Sequence, residues 1–180
     1  MVKEVAMEQT FDISKIKAII GLGNPGAYYA QHRHTIGFRI IDNLATRLGA
    51  VWQQRSDMAW ASARISGCDH DVFLIKPLTF MNNSGVVIPW LQKKGIKPEE
   101  ILVLHDELEK PFGSIMIKFG GSHRGHNGLK SIAAVMGLDF WRLRFGIGRP
   151  ADKDAVPDYV TSNFVPDQEQ QVPGYVDQAV

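Results

Sequence analysis

A chain of 180 residues that is 44% apolar can bury one sizeable core, so one domain is the natural count. Twenty basic against nineteen acidic side chains leave a net charge of +1, too little to name a partner, and a single cysteine, Cys68, excludes an internal disulfide or a thiolate metal cluster. No apolar run approaches the ~20 residues that span a bilayer and nothing resembles a secretion signal, so a cytoplasmic protein without a membrane partner is expected.

Residues 1–15 are polar and irregular and read as an N-terminal extension outside the core, leaving 16–180 as one catalytic domain. The first strand spans about Ile16 to Leu22. Behind it, Gly21-Leu22-Gly23-Asn24-Pro25-Gly26 fits the dinucleotide pattern G-x-G-x-x-G, which requires a helix to begin at its third glycine. Residues 27–34 carry no helical stripe. The first apolar stripe is Ile36, Ile40, Ile41, Leu44 and Leu48, capped by Thr35 and stopped by Gly49. Asp42, the acid at the distance a ribose ligand needs, falls inside that helix, so a tight turn exposing the Asn24 amide is favoured over a phosphate cradle.

Strands near Ala59–Ile65 and Val72–Ile75, joined by the turn holding Cys68, read as a hairpin. Ser84 opens a helix to about Lys94, with Pro89 inside it as a distortion. Ile101 to Leu104 is a continuous apolar run of the kind buried on both faces. A strand at Ile115–Phe119, a helix at Asn127–Met136 and a strand at Leu143–Ile147 follow, and a last helix opens at Pro166. The alternation predicts an α/β single-domain sandwich, with a twisted mixed sheet flanked by helices.

Ligands in such sheets gather beyond the carboxyl ends of strands. Four loops bring polar residues there: Asn24 to His34, Thr79 to Gly85, His105-Asp106-Glu107, and Gly120 to Gly128. The inventory is histidines, amides and a carboxylate. There is no G-x-S-x-G elbow, which disfavours a covalent serine. His32-x-His34 and His123-x-x-His126 could ligate a metal, but no H-E-x-x-H helix accompanies them, so no metal and no cofactor is expected. What remains is a histidine base oriented by a carboxylate, with amides stabilising an oxyanion: a water-activating hydrolase site. Taken singly, each residue has a plain structural reading as a turn, cap or core group. Residues 113–150 hold Lys118, Arg124, Lys130, Arg142, Arg144 and Arg149 against one acid, Asp139, a block that either gathers phosphates or forms an ordinary solvated face.

Five ordered blocks carry a resemblance: Gly21 to Gly26 with Tyr29 and Arg33-His34; Thr79-Phe80-Met81-Asn82; His105-Asp106-Glu107-Leu108; Gly125-His126-Asn127-Gly128; and Arg144-Phe145-Gly146-Ile147-Gly148. Together, from about Lys15 to Phe164, they resemble the bacterial-type peptidyl-tRNA hydrolase family. The resemblance implies cleavage of the ester between a peptide and the 3′-terminal ribose of tRNA, with His34 activating water and Asp106 orienting it. Asn24, Asn82 and Asn127 would position peptide, water and oxyanion; Tyr29, Met81 and His126 would line the cleft; Lys118 and Arg144 would hold the 5′ phosphate. Peptidyl-tRNA would be the partner of a monomer with no obligate protein partner. Three departures stand out: Thr35, where asparagine is common; Arg124, where a small residue is frequent; and an end at Val180 expected to cut short a C-terminal helix that the family usually continues. A noncatalytic RNA-binding relative and a nucleotide-binding oxidoreductase are the alternative classes.

Overall fold

The computed structural model describes residues 9–180; residues 1–8 of the expected extension lie outside the described residues. In chain order the elements are β1 (Ala18–Gly21), α1 (Ile36–Arg47), β2 (Gln53–Gln54), β3 (Met58–Arg64), β4 (Asp71–Pro77), α2 (Ile88–Lys93), β5 (Ile101–Glu107), β6 (Ile115–Phe119), α3 (Asn127–Met136), β7 (Trp141–Gly146), α4 (Val156–Val160) and α5 (Pro166–Ala179). They build a seven-stranded sheet in the order β2-β3-β4-β1-β5-β7-β6. The four adjacent strands β4, β1, β5 and β7 run parallel, while β3 beside β4 and β6 beside β7 run antiparallel to them, which makes the sheet mixed as expected.

Alternation along the inner strands sorts the core into two layers. Ile19, Leu102, Leu104 and Phe145 face α1 and α5, where they meet Ile36, Ile40, Val172 and Val176. Ile20, Ile101 and Val103 face α2 and α3, where they meet Ile88, Leu91, Leu129 and Ile132. Each fully buried side chain of this size contributes roughly 1.5–3 kcal/mol relative to exposure. The same parity carries to the end of β5: Asp106 lies in step with Leu102 and Leu104, and His105 in step with Ile101 and Val103.

Several sequence expectations are corrected. Phe11 packs edge-on against Trp141 at 5.2 Å and Ile13 packs on the core, so part of the expected extension belongs to it. The helix expected from Ser84 is two pieces, a 3-10 segment over Met81–Val87 and then α2. Pro89 falls in the first turn of α2, where a missing N–H costs nothing, so it starts that helix and does not distort it. The α1 cap is also different: the Thr35 hydroxyl makes no capping bond and accepts from the Asn24 backbone N–H at 3.3 Å. β6 runs against β7, with Phe119 beside Trp141, so the Gly120–Gly128 loop leaves from the amino end of the parallel strands, opposite to the expectation. Residues 121–126 then carry the chain back until His126 meets Asp106.

Candidate active site

Close approach of α1 to the sheet sets the site. A Cβ on Gly37 would lie 2.3 Å from the Leu104 carbonyl oxygen and 2.5 Å from the Leu22 nitrogen, both backbone atoms that cannot yield. With no side chain there, the start of α1 rests on the ends of β1 and β5. That seats His34, in the 3-10 turn before α1, against Asp106 on β5.

The His34 Nδ1 lies 2.9 and 3.0 Å from the two Asp106 carboxylate oxygens, and the His126 Nε2 lies 2.8 Å from Oδ1. Their tautomers follow from bookkeeping of donors. At the cap of α3 the His126 Nδ1 accepts from the Gly128 and Leu129 N–H groups, so its proton is on Nε2 and points at Asp106. Asp106, an acceptor twice over, takes the second proton from His34 Nδ1. The lone pair of a neutral His34 is therefore on Nε2, and His34 lines the adjoining cleft.

The charges agree with this arrangement. Burial would raise the Asp106 pKa, yet the His34 and His126 imidazoles and their hydrogen bonds hold it well below the usual carboxylate range. For His34, burial disfavours the charged form, but attraction to Asp106 and the bond to it prevail, leaving the imidazole more basic than usual. His126 moves the other way, because burial outweighs Asp106 and His34 repels its charge. Charge-assisted bonds of this kind are worth about 1.5–3 kcal/mol each, which offsets the several kcal/mol it costs to bury a carboxylate.

Around this pair, Asn24 is buried and its Oδ1 accepts from the Met81 N–H at 2.7 Å, tying the first loop to the second. That bond fixes the amide so that Nδ2, without a protein partner among the described residues, is its free end. Asn82 and Asn127 are exposed and share a groove with Lys130 and Ser131; Asn127 also lines the cleft that holds His34. Tyr29 stands apart from both, its ring edge-on to His32 at 5.4 Å and Phe80 at 5.7 Å.

The cleft beside His34 has a volume of about 420 Å³, and Lys118, Arg124, Arg142, Arg144, Arg149 and Lys153 line it with Glu107 and Glu109. The Arg144 guanidinium sits 3.7 Å from Glu107, and Arg149 pairs with Glu109. Five of the six cations of the basic block thus line this cleft, and the sixth, Lys130, lies along the Asn82 groove. The structure therefore unites His34, Asp106, His126, Lys118 and Arg144 in one cleft, with Asn127 at the junction to Asn82.

His34 Nδ1, His126 Nε2 and an Asp106 oxygen also lie within 4.8 Å of one another, close enough to hold a cation. Their separations of 2.8–3.0 Å are those of N–H···O bonds that already engage the same atoms. The sequence pairs His32/His34 and His123/His126 do not converge as ligands: His32 packs on Tyr28 and Tyr29, and the His123 Nδ1 accepts from Gly125.

Two residues named in the sequence only as members of a loop and of the basic block have roles that were not foreseen there. His105 is fully buried, its Nδ1–H donating to the Asp106 carbonyl at 2.7 Å; burial, then repulsion by His126, push its pKa down to about 3. Arg142 donates to the Gly121 and Ser122 carbonyls at 2.6 and 2.9 Å and so pins the returning loop. The i, i+2 spacing of Arg142 and Arg144 on one strand face is the only local sign of the Arg142 role; nothing local marks that of His105. Arg33, quoted for the resemblance, is an anchor, donating to carbonyls of Tyr159, Ser162 and Asn163.

Fold and site together define a hydrolytic enzyme: an imidazole held by a buried carboxylate at the strand ends of a mixed α/β sheet, opening onto a cleft rich in cations. The family model described as peptidyl-tRNA hydrolase matches residues 18–180. The peptidyl-tRNA hydrolase of Neisseria meningitidis serogroup C is 46% identical over 159 residues, 87% of this chain and 83% of its own length. That of Methylobacillus flagellatus is 46% identical over 159 residues, 87% of this chain and 82% of its own. The crystal structure of the Acinetobacter baumannii enzyme matches with a TM-score of 0.86 at 40% identity, covering 94% of this chain and 86% of that one. The chain belongs to the peptidyl-tRNA hydrolase family.

Proposed function

We propose that His34 is the general base of peptidyl-tRNA hydrolysis, the activity that family membership gives this enzyme. The neutral His34 Nε2 takes a proton from water while the hydroxide adds to the carbonyl of the ester linking peptide to the 3′-terminal ribose. The tetrahedral oxyanion then collapses, the ribose oxygen leaves with the proton returned by His34, and the peptide departs as its acid. Asp106 holds the imidazole in the productive tautomer and stabilises its charged form. Donors from Asn24, Asn82 and Asn127 position peptide and water and stabilise the oxyanion. Tyr29, Met81 and His126 line the approach, and Lys118 and Arg144 hold the 5′ phosphate. We assign the reaction to one α/β unit over residues 16–180, working in the cytoplasm without an obligate protein partner. No described helix is long and apolar enough to cross a membrane.

The observation that carries this reading is the two-point hold on Asp106, which leaves the His34 Nε2 as the uncommitted base. The test is release of peptide from peptidyl-tRNA by the parent and by His34→Ala. A loss of roughly 10²–10⁴-fold in kcat with tRNA affinity nearly retained is expected; undiminished turnover would remove His34 from the role.

A further inference from the structure

Nine arginines lie in the described residues, and eight have partners. Six pair with carboxylates: Arg39 with Glu169, Arg47 with Asp177, Arg55 with Asp57, Arg64 with Asp71, Arg144 with Glu107 and Arg149 with Glu109. Arg33 and Arg142 donate to backbone carbonyls. The Arg124 guanidinium alone has no hydrogen-bond or ion-pair partner among the described residues, and Arg124 lines the cleft that contains His34.

Its backbone is equally singular. Arg124 has φ +48°, where every other positive φ among the described residues belongs to glycine. A side chain in that region costs about 1 kcal/mol relative to glycine. Its N–H donates to the Ser122 hydroxyl at 3.1 Å and Arg142 fixes the neighbouring carbonyls, so the loop is held in a form that a glycine would suit better. The loop also brings cations together, since the Lys118 ammonium lies 3.4 Å from where a Cβ on Gly121 would sit. From there the chain passes through Arg124 to His126 at the reacting pair.

We propose that Arg124 is a further substrate-binding residue, its guanidinium taking a phosphodiester of the unpaired 3′ strand of tRNA between the reacting ester and the Lys118–Arg144 end of the cleft. The inference rests on the peptidyl-tRNA reading of the site. A guanidinium fits a phosphate through two parallel N–H···O bonds, and one at the lining of a cleft that is paired with no carboxylate keeps its donors for a ligand.

Three substrates separate the possibilities: peptidyl-tRNA, a peptidyl ester of the trinucleotide CCA, and a peptidyl ester of adenosine, which has no phosphodiester. Turnover of peptidyl-tRNA by the parent is measured first, and its absence would defeat the functional reading, not this one. With that in hand, Arg124→Gly is expected to raise KM about three- to tenfold for peptidyl-tRNA and for the CCA ester, and to lower the salt slope of log KM by about 0.7. The difference from the parent is expected to vanish with the adenosine ester. The melting temperature should hold or rise as the backbone strain is relieved, which a merely structural role would not allow, and Arg124→Lys should recover part of the affinity. An equal rise in KM with the adenosine ester, a defect confined to full-length tRNA, or no change in KM and salt slope would each overturn the assignment.

Discussion

The His34–Asp106–His126 cluster and the Asn82–Asn127 rim are built on opposite plans. In the cluster the carboxylate is buried and both imidazoles bond to it, so one lone pair, on the His34 Nε2, is left unused. On the rim both asparagines are exposed, and their side-chain amides have no partner among the described residues. On the proposed mechanism the base is thus oriented before substrate arrives, whereas the rim amides would find their partners in the substrate. Asn24 lies between these cases, one end of its amide fixed by Met81 and the other free.

Breaking the oriented half should hurt most. Asp106→Asn keeps the shape but offers one acceptor where two N–H groups point. Because the Gly128 and Leu129 N–H groups lock His126, it is His34 that must turn its lone pair toward the new amide, putting the proton on Nε2 and abolishing the base. A loss of roughly 10²–10⁴-fold in kcat is expected with KM little changed; a kcat within a few-fold of the parent would mean that Asp106 does not set the tautomer. Asn127→Ala and Asn82→Ala sharpen the contrast from the other side. Each should cost up to about 10²-fold in kcat while unfolding within ~0.5 kcal/mol of the parent, since neither amide supports the fold. Destabilisation of several kcal/mol would show the rim to be structural after all.

Smaller effects lie further out. Lys118→Ala is expected to weaken tRNA binding a few-fold and to lower the salt slope by about one; an unaltered slope would return the basic cleft to the reading of a solvated face. A separate effect, on stability and not on turnover, concerns His105, held neutral in the folded chain with its pKa pushed from 6.5 to about 3. The unfolded chain binds the extra proton across that window, so the stability contributed by neutral His105 is present above 6.5 and lost as pH falls towards 3. His34 has the opposite sign, its share being full below 6.5 and fading as pH rises through its raised pKa. His105→Gln should therefore flatten the fall in urea midpoint over the acid window, and parallel curves for parent and variant would contradict this.

The meeting of His34 with Asp106 was legible in the sequence because residue chemistry and secondary structure coincide there. His34 ends a turn before a strongly striped helix, and Asp106 ends an apolar run that could only be a central strand. It carried less where long-range geometry decides. The direction of β6 is set by pairing with β7, not by its own residues, so the path of the Gly120–Gly128 loop was read from the wrong end of the sheet. Thr35 has the composition of a cap, yet its hydroxyl accepts from Asn24, eleven residues back. The exposed pair Gln53–Gln54 and the five-residue α4 lack any apolar period to announce them.

The pH dependence of kcat/KM on peptidyl-tRNA, measured for the parent and for Asp106→Asn, tests the central claim most directly. If neutral His34 is the base and Asp106 makes it basic, the acid limb of the parent has its midpoint above 6.5, and the variant's residual activity has a lower midpoint beneath a much lower plateau. The same midpoint in both proteins would contradict the claim, because the titrating group would then not be an imidazole held by that carboxylate.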